Sequence, residues 1–380
     1  MEHAHIVNGR RRLDFISALR GWAALYVALL HLTFNSHATP PEWLRPAISF
    51  GGTAVTLFFV LSAFTLSMSM ETRQEGAPVR NFFIRRFFRI APLFYFWVVA
   101  TSLIGYFVFG VIPTPAAIAL NLSFGFNLVP GYEWGAAYAA WSIGTEMLFY
   151  LLFPLVFSTS RSIKGAALWL LATVAAAEIW RVVVHGVPYP YPYTSIVNQM
   201  PVFVLGILAY RLYQSLPRSR TLGLGLILAA FAGFWLMAYP FEIKQLGSSL
   251  YLRAALCGLL LIGLGMNQIR LLVNRPLVFG GDISYSIYLT HAAACLLIEP
   301  VIPYLYGKLP VLLAYPAAFG TLLVVVIPAS YVSFLLIEKP GIRLGDRIIK
   351  LLPSRGFLRL DRRAEVVANH VPKGTAQGAE

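Results

Sequence analysis

The sequence predicts an all-α integral membrane protein of about ten transmembrane helices with both termini in the cytoplasm. Three observations carry this expectation. Of the 380 residues, 58% are hydrophobic and 12% are charged, whereas soluble chains carry about 25% charged residues; mean hydropathy is +0.69. The apolar residues gather into ten stretches of 18 to 25 residues, each long enough for a helix to cross about 30 Å of hydrocarbon. The basic residues also segregate. With the N-terminus inside, 24 of the 30 Lys and Arg residues fall on the cytoplasmic side. Arg45, Lys244 and Lys308 lie opposite, and Arg20, Arg181 and Arg253 lie in or at spans. Such a bias sets orientation, and termini on one side require an even number of spans.

The expected spans are 15–34, 52–70, 91–110, 139–157, 163–184, 196–213, 222–239, 250–267, 280–298 and 313–337. Several contain Pro or Gly, which membrane helices tolerate when neighbours satisfy the freed backbone groups. Residues 1–12 form a basic cytoplasmic N-terminus, 13–344 the membrane domain, and 345–380 a basic, then polar cytoplasmic tail whose composition predicts partial disorder. Arg10–Arg12 before an apolar run and the small-x-small step Ser36-His37-Ala38 have the outline of a cleavable signal. Asp14 and Arg20 are out of place in one, so the segment is expected to stay as the first span. The net charge of +14 belongs to loops that meet anionic lipid; no nucleic-acid-binding motif is present. Cys257 and Cys295 sit in apolar runs without metal-ligand spacing and read as small buried hydrophobes. No zinc motif, phosphate-binding loop or dinucleotide fingerprint occurs, and no metal is expected.

Ionisable residues inside spans are costly, and they mark function or close pairing. Arg20 and His31 share the first span, and eleven residues at ~1.5 Å each separate them by roughly 16 Å along a helix. Imidazole takes a proton near neutral pH, and guanidinium grips phosphate or carboxylate bidentately. Arg85, Arg86 and Arg89 cluster at the start of the third span, interleaved with Phe82, Phe83, Phe87 and Phe88. Arg86 and Arg89 share a helix face and can hold phosphates, with the rings offered to an adenine. Glu146 lies about two turns inside the fourth span and can orient a histidine, as the third group of a triad does; a structural pair with a tyrosine or arginine is the alternative. Ser284, Tyr288 and His291 form one polar stripe on the ninth span. It signals either a wet cavity or interhelical hydrogen bonds. Glu178 and Arg181 read as a self-neutralising pair, and Asp14, Asp282 and Glu338 as carboxylates at the interface.

The ordered segments LDFISALRGWAALYVALLH, GGTAVTLFFVLSAFTLS, RRFFRIAP, WSIGTEMLFYLLFP and DISYSIYLTH together resemble the integral membrane acyltransferase 3 family, from about Leu13 to Leu344. The resemblance implies a single ten-helix domain that O-acylates envelope sugars and related molecules. Ala63 stands where the family usually has glycine, and Gly144-Thr145 before Glu146 is unusual; both bear on cavity shape. The expected activity is transfer of an acyl group, acetyl in the simplest case, from cytoplasmic acyl-CoA to a hydroxyl of an extracytoplasmic or lipid-linked glycan, in the inner membrane of a bacterial cell. No cofactor is expected to be tightly bound, and acetyl-CoA serves as donor substrate. His31 is the expected general base or transient acyl carrier, with Glu146 and Arg20 as catalytic partners. Arg86, Arg89 and Arg20 hold the donor, and Ser284, Tyr288 and His291 line the cavity and stabilise an oxyanion. A small molecule or lipid alcohol is the alternative acceptor. A multi-pass transporter is the alternative class, but it predicts broken helices in matching positions of two halves, which the sequence does not display.

Overall fold

The structure is a computed structural model and describes residues 4–7, 10–73, 75–188, 190–239 and 249–353. Lys244 and residues 354–380 of the expected tail lie outside the described residues. Among the described residues the regular structure is helical apart from a short antiparallel ribbon, β1 (Ala4–Val7) with β2 (Arg10–Leu13), in which Ala4 pairs with Leu13. Among the described residues, nine helices are long and apolar enough to cross a membrane. They are α1 (Asp14–Asn35), α2 (Thr53–Thr72, with short turns from Glu42), α3 (Pro78–Phe109), α4 (Ala140–Thr159), α5 (Ile163–Val183), α6 (Ile196–Ser215, with a turn from Tyr191), α7 (Arg220–Ala238), α8 (Ser249–Met266) and the segment Val311–Leu351.

The expected ninth span is broken. α9 (Arg275–Asp282) is followed by α10 (Ser284–Ile298), which bends by 64° into α11 (Val301–Lys308). Counting that bent pair as one crossing restores ten. Glu299-Pro300 explains the bend, because Pro300, the N-cap of α11, has no N–H with which to continue the ladder of α10. Two other expectations change at helix ends. The third helix starts at Pro78 rather than near 91, so all the arginines of that region are helical. The last one runs through α12 (Val311–Ser333), a π-helical turn (Phe334–Glu338) and α13 (Lys339–Leu351) without interruption.

Burial sorts the helices into two shells. The spans containing α1, α2, α4, α6 and α8 are 56–72% buried inside the protein, whereas those of α3, α5, α7 and Val311–Leu351 are 17–28% buried. The inner helices therefore face one another, and the outer ones present Leu, Val and Phe to lipid. Close approach rests on small residues, as is usual where lipid removes the hydrophobic drive between helices. A Cβ built at Gly281 of α9 would run into the backbone carbonyl of Ser17 in α1. Gly281→Ala is therefore expected to push α9 off α1 at an overpacking cost of about 1–3 kcal/mol. The check is the monodisperse fraction after detergent extraction, which should fall. Ala63, where a glycine was anticipated, is fully buried against Gly206 of α6.

Candidate active site

Two cavities lie end to end among the inner helices. The first, the arginine chamber, has a volume of about 80 Å³ and is lined by Arg20, Arg86, Arg89, Glu146, Tyr150 and Tyr285, with Ser62, Ser142, Ser284 and Tyr288 among its other polar walls. Arg20 comes from α1, Arg86 and Arg89 from one face of α3, and Glu146 from α4. Arg20 Nη2 donates to Thr65 Oγ1 at 3.1 Å. The Arg86 guanidinium lies 5.9 Å from the Tyr150 ring centroid, and its buried Nε has no hydrogen-bond partner among the described residues. None of the three arginines makes an ion pair within 4 Å among the described residues. Among the described residues Glu146 is the only carboxylate in the lining, and its Oε1 accepts from Ser62 Oγ at 2.5 Å and Tyr150 Oη at 2.6 Å. Three cations face one anion in a narrow slot, which favours an anionic guest.

The second, aromatic chamber is larger, about 540 Å³, within the range of small-molecule sites. Trp134, Tyr138, Trp141 and Tyr193 form its aromatic walls, and His31, Asn35 and Thr194 add polar edges. Among the described residues, no Asp, Glu, Lys or Arg lines it. His31 Nδ1 lies 3.0 Å from the Val27 carbonyl and 3.1 Å from His291 Nε2, while His291 Nδ1 lies 3.3 Å from the Ile287 carbonyl. These contacts select tautomers. A nitrogen facing only a carbonyl must donate, so His291 carries its proton on Nδ1 and offers a lone pair at Nε2. His31 Nδ1 then faces two acceptors and must be the protonated nitrogen. Its Nε2 is left with the lone pair, which is the basic form.

The sequence expectations divide accordingly. Arg20, Arg86, Arg89, Glu146, Ser284 and Tyr288 come together in the arginine chamber, and His31 meets His291 at the aromatic one. Glu146 does not orient His31: the carboxylate is engaged by Ser62 and Tyr150, and the histidine's partner is a second histidine. Arg85 leaves the cluster to pair with Glu75 at 2.7 Å. Burial opposes ionisation of Glu75, but hydrogen bonds from Arg85 and Asn81 outweigh it and hold the carboxyl below the usual range. Phe82 stacks on Phe153 with ring centroids 5.3 Å apart, and Phe88 packs against the glycine face of α13.

Several residues escaped the sequence reading. Glu338, taken for an interface carboxylate, is 1% exposed and accepts from Ser286 Oγ at 2.8 Å. The π-helical turn carries it inward, to within electrostatic reach of Arg89 and Arg20. Ser62, Tyr150 and the four aromatic walls also went unflagged. The unusual Gly144 has a packing reason: a Cβ there would collide with Asn127 and Phe126 of the preceding loop. Glu178 and Arg181 do pair, at 2.6 Å, and both cysteines are buried and free.

A helical membrane bundle with an arginine-lined slot beside a histidine-bearing chamber defines an acyltransferase of the integral membrane type once the comparisons are added. Residues 13–334 match the family model described as an acyltransferase domain, and the chain belongs to that acyltransferase 3 family. It is 27% identical over 316 residues to a protein of Acidianus two-tailed virus named as an acetyltransferase, covering 80% of this chain and 88% of the viral one. It is also 29% identical over 180 residues to an acyltransferase of Streptomyces mycarofaciens, MdmB, covering 44% of this chain and 45% of the relative. No solved structure matches.

Proposed function

We propose that this acyltransferase moves an acyl group, acetyl in the simplest case, from cytoplasmic acyl-CoA to a hydroxyl of a neutral acceptor, a glycan or lipid-linked sugar, on the far side of a bacterial inner membrane. The observation that carries the reading is the arginine chamber, whose three unpaired cations meet an aromatic chamber bearing a basic histidine. With both termini cytoplasmic, the arginine chamber faces the donor. A slot of about 80 Å³ is too small for a nucleotide, so the nucleotide stays at the mouth and the thioester arm enters. Arg86 and Arg89 hold donor phosphate, and Arg20 lies further along the arm. Glu146 sets the balance of charge among the arginines from its bonds to Ser62 and Tyr150.

His31 Nε2 takes the proton of the acceptor hydroxyl as the oxygen attacks the thioester carbonyl. The C–S bond breaks, the ester C–O bond forms, and the proton passes to the departing thiolate. His291 keeps His31 in the required tautomer. The aromatic walls suit the apolar face of a sugar ring, and the absence of charge among the described lining residues disfavours phosphorylated or carboxylated acceptors. The test is mass spectrometry of acyl esters on envelope glycans from wild type, a deletion strain, and the deletion strain complemented with the wild-type protein or with His31→Ala at equal membrane abundance. An ester lost on deletion and restored only by the wild-type protein supports the reading. A deletion that changes no glycan ester moves the acceptor to a small molecule or lipid alcohol.

A further inference from the structure

Two residues, Val55 and Tyr288, line both chambers. They stand where the arginine chamber meets the chamber of His31. Tyr288 is held across the boundary by a closed triangle. Its Oη lies 2.6 Å from Ser142 Oγ, and both oxygens lie 3.3 Å from the Ala139 carbonyl. Ala139 stands at the start of α4 with φ of 58°, the left-handed region that alanine rarely occupies. That conformation turns its carbonyl toward the two hydroxyls. Strain of this kind persists where the surroundings over-determine it, and it clusters at functional sites. On the other side of the Tyr288 ring, Phe58 packs edge-on with centroids 5.8 Å apart. The His291 ring lies 5.7 Å from Tyr288. The tyrosine is thus a partition, with cations on one side and the histidine pair on the other.

The geometry points to Val55, Phe58 and Tyr288 as the acyl-size selector of the transfer reaction. The inference rests on the acyl-transfer reading above and deepens it. The thioester carbon has to reach His31 Nε2 while the CoA end stays with the arginines, so the acyl group is the part that crosses the partition. Its walls are aromatic and branched, with Val55 and Tyr288 buried and Phe58 partly so. A short acyl group crosses when the Tyr288 ring turns aside. Each added methylene then meets Phe58 and Val55, and one methylene in a tight apolar site is worth roughly 10-fold or more in discrimination. Closing again, the ring keeps water of the aromatic chamber from the thioester. When water does enter, it replaces the alcohol, the C–S bond breaks, and carboxylic acid and free thiol result.

The experiment uses the full chain in lipid nanodiscs with acetyl-, butyryl- and octanoyl-CoA, following thiol release together with the acid or ester formed. Wild type is expected to favour acetyl over octanoyl by at least about 100-fold, given the cost per methylene. Phe58→Ala is expected to cut that preference at least about 10-fold by the same argument. Val55→Ala, a smaller change, is expected to shift it in the same direction and guards against a folding defect in the first variant. Tyr288→Phe keeps the ring but loses the triangle, and it should raise acid production from acetyl-CoA without acceptor. Unchanged chain-length preference in both wall variants, with wild type active, overturns the selector. Wild type inert toward every thioester sinks the acyl-transfer reading itself.

Discussion

His31→Ala is expected to lower ester formation by about 10²–10⁴-fold, the usual worth of a positioned general base, with donor binding nearly unchanged. The separation of the chambers is the reason. His31 touches Val27 and His291 and lines the aromatic chamber, and no arginine lines that chamber. His291→Ala should cost less, about 10-fold, because it removes one of two acceptors that fix the tautomer and leaves the Val27 carbonyl in place. Measuring both variants at equal membrane abundance checks the ordering. Wild-type ester levels from His31→Ala would refute the general-base assignment, and equal losses in the two variants would point to a relay through both rings.

The second large effect is expected at the arginines. Arg86→Ala and Arg89→Ala should each raise KM for acyl-CoA by about 10–100-fold, since hydrogen bonds to charged groups contribute about 1.5–3 kcal/mol and 1.4 kcal/mol is tenfold. kcat should fall less, because neither residue lies beside the histidines. Lysine at either position keeps the charge but not the planar fork, so it should rescue only in part. Initial rates of thiol release across acyl-CoA concentrations settle the split. A KM that stays at the wild-type value in both alanine variants would remove the chamber from donor binding.

What the sequence disclosed and what it concealed differ for physical reasons. An arginine or histidine amid twenty apolar residues stands out because of its desolvation cost, so Arg20 and His31 were legible, and so was the shared face of Arg86 and Arg89. Spans were legible for the same reason, since length and apolarity are local. Partners were not. The pairing of His31 with His291, 260 positions away, and the capture of Glu146 by Ser62 and Tyr150 are tertiary facts with no local trace. Glu338 was misplaced because Lys339-Pro340 after it looks like an interface, whereas the helix continues through a π-helical turn. The aromatic walls were passed over because Trp and Tyr near span ends ordinarily act as interfacial anchors.

The π-helical turn at Phe334–Glu338 makes the last helix behave like a shaft with a phase shift cut into it. A π-turn holds one residue more than the α-helical ladder needs, and one residue of an α-helix is about 100° of rotation. Upstream and downstream faces are therefore out of step by about a quarter turn, and the glycine side of α13 meets Phe88 and Pro92 only with that offset. Deleting a single residue from the turn would rewind the ladder and leave every contact above it in place. The whole of Lys339–Leu351 would swing away from α3, and the carboxylate behind the arginines would go with it. A one-codon deletion in a stretch that lines neither chamber would thus act at a distance as a rotation of the end of the helix.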